Sequence, residues 1–350
     1  MKRLIYSTAA IMLLLAGGGA ATVSSLGAFN SVTTAYNGQC RSIGQMVGAE
    51  DIIADYDAGV AYISSFDRRT GMAGQEVTGA LHRLVLDGSD QLVEMPLTGL
   101  DPSLPFLPHG MDLKTIDGVQ YLFVLNHRSA SDPQAGHDVY VFEVGVDALT
   151  LARHHTSDGI KSPNGIGAVD LDTFYYSNDR GAFGAFGNMV EMMFARKISD
   201  LSVYDEGETE ILEPMAFANG VATTPDGSTV YATALREGVV KVFARDQVSN
   251  VLTLQREIPV GQAPDNVRIA EDGRLWVASH LNLMAFDGHI KDSTALSPFQ
   301  VYRVEPDTGK SELVMENDGS LQSSVSVAVP YEDMLLIGSA FQPGVKICAQ

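Results

Sequence analysis

Basic residues are scarce in this sequence, cysteine and tryptophan scarcer still, and each shortage narrows what the chain can be. Its 23 lysines and arginines face 43 aspartates and glutamates, a formal charge of -20. That balance repels phosphate backbones and favours cations, so nucleic acid is not an expected partner. A solvated acidic surface accounts for most of the charge, and only buried carboxylates would point to metal. No Gly-x-Ser-x-Gly elbow, phosphate-binding loop or zinc-type spacing occurs, which sets aside serine-triad, nucleotide and zinc chemistry. No Gly/Ser linker or low-complexity tract interrupts residues 40–350, which are read as one domain.

The N-terminus carries the one long apolar run. Met1-Lys2-Arg3, apolar Leu4 to Ala16 and then Gly17 to Ala21 follow the charged, apolar, small-residue order of a secretory signal. Residues 1–21 are therefore expected to be a signal or a retained anchor, with 22–39 as a lead-in. The protein is expected to be exported, to the periplasm, the exterior or a membrane tether. The two cysteines, Cys40 and Cys348, bracket the rest. They are either two buried thiols or, as suits an oxidising compartment, one disulfide tying the ends together.

A short strand pattern recurs six times, beginning at Ala61, Tyr121, Phe174, Val230, Leu275 and Leu335, in steps of 60, 53, 56, 45 and 60 residues. Turn residues precede the copies, as in Asp57-Ala58-Gly59, Asp117-Gly118 and Pro225-Asp226-Gly227. Such a step holds a four-stranded sheet with its loops, so the expected fold is all-β: a six-bladed β-propeller with a central tunnel. Nine to twelve residues before the first five copies stand Glu50-Asp51, His109, Asn164, Asn219 and Asp265-Asn266, and the sixth has Ser323-Ser324. If the strand before each hairpin is innermost, these groups share one phase and face the tunnel. Residues 185–195 are the helical exception, read as a buried segment or, alternatively, as a lid or membrane-facing patch.

Glu50, Asn164, Asn219, Asp265 and Asn266 supply two carboxylates and three amides, the hard oxygen donors that suit calcium rather than zinc. Two buried carboxylates would balance such an ion. Calcium alone can brace a propeller; histidines shift the reading towards catalysis. His109 lies in phase with the ligands, and His127 and His280 end the second strands of their blades. His109 is the expected general base on water, with His127 to orient it or relay the proton.

At these residues the sequence resembles the paraoxonase and arylesterase family of calcium-dependent, six-bladed propeller hydrolases. The likeness runs through Gly48-Ala49-Glu50-Asp51, Pro108-His109-Gly110, Leu125-Asn126-His127, Ser162-Pro163-Asn164, Phe217-Ala218-Asn219-Gly220, Asp265-Asn266 and the two cysteines. The resemblance implies that Glu50, Asn164, Asn219, Asp265 and Asn266 ligate the catalytic calcium, with His109 and His127 as a base dyad. It also implies a Cys40–Cys348 disulfide and a retained hydrophobic N-terminus. The implied substrates are small lactones, with aryl esters and organophosphates as side activities. A second, structural calcium maps onto Asp51, the Met111 carbonyl and the residue after Asn164. That residue is Gly165 where the family has aspartate, so this site is expected to be weak or absent, and Gly165→Asp to strengthen it. The competing readings are a propeller enzyme similar to gluconolactonases or strictosidine synthases, and a calcium-braced, non-enzymatic binding scaffold. Membrane association through the N-terminus and residues 185–195 is a further expectation.

Overall fold

The structure is a computed structural model that describes residues 19–33, 36 and 38–350. Residues 1–18, most of the expected signal, lie outside the described residues. Six sheets, antiparallel except where the short strand Leu97–Thr98 pairs parallel with Leu149–His155 in the second, follow one another along the chain. Blades 1 to 5 start with the inner strands Ala49–Asp55, Pro108–Ile116, Pro163–Ala168, Ala218–Thr223 and Pro264–Ile269. Blade 6 starts with Val325–Tyr331 and takes its outermost strand, Cys40–Val47, from the other end of the chain. Cys40 sits opposite Cys348 in that pairing, and a disulfide joins them. The ring of blades is thus closed by both a β-ladder and a covalent bond.

Burial grades outward, as the sequence patterns require. Every residue of the inner strands Pro163–Ala168 and Ala218–Thr223 is buried, whereas most of the outer strand Leu252–Pro259 is exposed. Apolar residues of adjacent blades pack face to face, as Ile52, Ile63 and Leu84 do against Val327, Leu336 and Val345. The turns form as their residues dictate. Asp117 and Gly118, at φ +51° and +81°, make the two-residue hairpin between paired Ile116 and Val119.

Three helices, Arg68–Met72, Ala185–Phe194 and Leu283–Lys291, follow the second strands of blades 1, 3 and 5. An antiparallel second strand ends beside the start of its inner strand, so the helices cap the face where the inner strands begin. Asn282 caps the third helix, its Oδ1 accepting the Met284 and Ala285 N–H groups at 3.0 Å. The Ala185–Phe194 helix corrects one expectation, because it is not a buried segment. Its one buried residue is Glu191, while Phe186, 76% exposed, Met189 and Phe194 face outward. Among the described residues no helix is long and apolar enough to cross a membrane.

Candidate functional site

Glu50, His109, Asn164, Asn219 and Asp265 are each the second residue of an inner strand, and in blade 6 that place is held by Ser326 rather than by the expected Ser323-Ser324, which precede the strand. At that point every inner strand breaks register with its neighbour, between Ala49/Asp51, Pro108/Met111, Pro163/Ile166, Ala218/Val221, Pro264/Val267 and Val325/Val327. A bulge bends the strand and re-aims the unpaired side chain. Repeated in register, it turns one polar group per blade towards the axis.

The oxygens gathered there are short of donors. Asn164 Oδ1, Asn219 Oδ1 and Glu50 Oε2 are buried with no hydrogen-bond partner, an arrangement that normally costs about 1–3 kcal/mol per group. Glu50 Oε1 accepts from the Asn266 amide at 3.1 Å, and Asp265 Oδ2 accepts from His280 Nε2 at 2.8 Å. Burial opposes the charge on Glu50, but His109 when protonated, then Arg68 and the Asn266 amide, outweigh it and hold its carboxyl below the usual carboxylate range. Burial pushes Asp265 up despite its bond to His280. Among the described residues no three His, Cys, Asp or Glu side chains form a metal cluster. The donors here are mainly amides, and a hard cation is the group that would satisfy all three orphaned oxygens.

Several supporting residues escaped the sequence reading. Arg68, buried at the mouth, places its Nη2 3.8 Å from Glu50 Oε2 and its Nη1 3.2 Å from the Gly48 carbonyl. A hydroxyl from one blade also ties the candidate residue of the next. Ser64 donates to the His109 carbonyl at 2.7 Å, Ser177 to that of Asn219 and Thr233 to that of Asp265 at 2.6 Å. The signal was present, since Ser64, Ser177 and Thr233 each stand fourth in their copy of the repeat.

His109 opens a chain of three imidazoles. Its Nδ1 lies 2.6 Å from His127 Nε2, and His127 Nδ1 lies 2.9 Å from His137 Nδ1. His137 Nε2 lies 3.1 Å from the Pro133 carbonyl. A carbonyl only accepts, so His137 Nε2 carries a hydrogen and its Nδ1 is an acceptor. His127 must then donate from Nδ1 and accept at Nε2, and His109 must donate from Nδ1. The neutral chain leaves a lone pair on His109 Nε2, 3.4 Å from Glu50 Oε2. Burial, then the neighbouring His109 and His137, hold His127 well below the usual imidazole range. His280, by contrast, is spent on Asp265 and packs against Phe286, ring centres 4.1 Å apart.

Asp51 and the Met111 carbonyl are brought together, but with the Arg268 guanidinium bonded to both. Gly165 has no room to supply the missing carboxylate. A Cβ there would stand 2.5 Å from the Asn219 carbonyl oxygen and the Val221 nitrogen, both backbone atoms of blade 4. The expectation that Gly165→Asp would build a better site therefore fails on sterics.

Inner-strand polar groups around one axis, with a chain of imidazoles beside them, define a propeller with a candidate centre. Two solved structures share the fold. One is a luciferin-regenerating enzyme, 14% identical, TM-score 0.52, covering 90% of this chain and 96% of that one. The other is a calcium-binding protein, regucalcin, of Agrobacterium tumefaciens, 14% identical, TM-score 0.51, covering 91% and 95%. The Arylesterase family pattern matches residues 30–347, and the chain belongs to that family. It is 28% identical to human serum paraoxonase/arylesterase 1 over 294 residues, 81% of each chain. Against rat serum paraoxonase/arylesterase 2 it is 26% identical over 332 residues, 91% of each.

Proposed function

We propose that this chain is a calcium-dependent hydrolase that opens lactones and cleaves aryl esters. Membership of the arylesterase family supports an esterase-type hydrolase. One observation carries the finer reading: three unsatisfied buried oxygens share a tunnel mouth with an imidazole nitrogen left free to accept. Glu50, Asn164, Asn219, Asp265 and Asn266 would hold the calcium. Bound there, calcium would polarise the substrate carbonyl and offset the charge that grows on its oxygen. His109 Nε2 takes a proton from the attacking water, and the Glu50 carboxylate 3.4 Å away stabilises the imidazolium that results. His127 stays neutral and holds the ring through His109 Nδ1, so it orients the base rather than receiving the proton. His109 then returns that proton to the departing alkoxide or phenoxide.

Export belongs to the same proposal, since a Cys40–Cys348 disulfide suits a periplasmic, extracellular or membrane-tethered protein. Contact with a lipid surface, through the N-terminal segment and the exposed Phe186, Met189 and Phe194, completes it. The test is a panel of alkyl lactones, sugar lactones and phenyl esters, assayed with the intact protein and with His109→Gln. Turnover of an alkyl lactone or phenyl ester that falls about a hundredfold or more in the variant supports the reading. Turnover of sugar lactones alone favours a gluconolactonase-like enzyme, and no turnover at all favours a binding scaffold.

A further inference from the structure

Two levels of the tunnel differ in how their oxygens are used. Around Glu50 three buried oxygens lack donors, whereas further along the same inner strands the carboxylates are fully engaged. Asp51 Oδ1 accepts the Ile52 N–H at 2.9 Å, and its Oδ2 accepts the Met111 N–H at 2.7 Å. Arg268, buried, bonds through Nη2 to Asp51 Oδ2 and to the Met111 carbonyl at 3.0 Å, and through Nε to the Ile52 carbonyl at 2.9 Å. Asp112 takes the Leu113 N–H at 2.9 Å and the Ala168 N–H at 2.7 Å. Lys114 Nζ donates to the Thr224 and Pro225 carbonyls at 3.1 and 2.7 Å. At this level Asp51 is paired with Arg268, Asp112 is held by two backbone N–H groups, and Lys114 is held by two backbone carbonyls.

From this arrangement we infer that Arg268 is a tethered cation standing where the family pattern has its second calcium, and that the tunnel takes one metal ion rather than two. A carboxylate and a carbonyl are the oxygens a divalent ion would need there, and the guanidinium already holds both. Admitting the ion would strip a buried arginine of its partners and set two cations against one carboxylate, with no compensating oxygen at Gly165. Arg268 also does an ion's mechanical work, reaching from blade 5 to Asp51 and Ile52 in blade 1 and to Met111 in blade 2. A chelator cannot remove it.

The count of one rests on the calcium reading above; the role of Arg268 does not. The experiment uses the full chain freed of metal and titrated with calcium chloride, by calorimetry and native mass spectrometry, with melting followed in chelator. The expected result is one tight site per chain and an Arg268→Gln variant that melts roughly 5 °C or more below the unsubstituted protein in chelator. Two calcium ions of comparable affinity in the unsubstituted chain overturn the inference, as does an unchanged melting midpoint in Arg268→Gln. If the variant does not fold, the count in the unsubstituted chain decides. Binding of no calcium sinks the metal reading instead, and the variant's midpoint then decides the role of Arg268.

Discussion

The Pro133 carbonyl fixes which nitrogen of His109 is free, although two other imidazoles stand between them. His137 is therefore a positioning residue, and its replacement should disturb turnover without disturbing metal or substrate binding. His137→Val should lower kcat about tenfold with KM and calcium affinity unchanged. An unaltered kcat would remove His137 from the account. Its neighbour Asp138 belongs to stability. Fully buried, Asp138 accepts from Arg128 at 2.9 and 2.6 Å and from His154 at 2.7 Å. Burial opposes its charge, but Arg128 and His154 hold its carboxyl below the usual range. A depressed folded pKa means that the stabilisation is fully present above the ordinary carboxylate pKa of about 4 and is lost as pH falls through the folded value. Asp138→Asn should thus cost about 2 kcal/mol in urea unfolding at neutral pH, allowing for the partial exposure of Arg128 and His154. The gap should narrow on acidification, and a gap independent of pH would contradict the assignment.

At the scale of strands and helices, the site depends on bulges held by hydroxyls from the preceding blade. Thr233→Val keeps the shape and removes the bond to the Asp265 carbonyl, so it should cost about 1 kcal/mol and weaken calcium binding together. Equal calcium affinity in that variant would show that the strand holds its position without the tie. The inner strands were legible in the sequence because strand, turn and polar residue recur in one phase, and Glu50, His109, Asn164, Asn219 and Asp265 fall where that phase puts them. What escaped depends on partners distant along the chain. Arg268 reads as an ordinary strand residue until Asp51, 217 positions away, is seen beneath it. His137, by contrast, is only 10 positions from His127, and it escaped because nothing but the strand pairing sets the two rings opposite each other. The Ala185–Phe194 helix misled for another reason. Its scarcity of charge suggested burial, but the fold buries its single acid, Glu191, against the Gly181 and Ala182 N–H groups, packs Met192 against the core and leaves Phe186, Met189 and Phe194 outside.

For the whole molecule, the closing bond matters more to stability than to chemistry. Cys40 and Cys348 are 308 positions apart, and a crosslink of that span is worth up to roughly 5 kcal/mol in the chain-entropy account. Replacing both with serine should lower the melting temperature while leaving lactone kinetics at 25 °C nearly unchanged, because the ladder between Cys40–Val47 and Pro343–Ala349 still closes blade 6. A collapse of kcat at a temperature where the variant remains folded would tie the bond to the site. The larger claim is that one calcium, held by the unpartnered oxygens of Glu50, Asn164 and Asn219, is what makes the tunnel a catalyst. The measurement that tests this most directly is lactone hydrolysis by metal-free protein as calcium is added back, set beside the calorimetric binding curve of the same sample. The account predicts negligible turnover without calcium and half-maximal activity at the calcium concentration that half-fills the tight site. Full turnover in the metal-free, folded protein would contradict it.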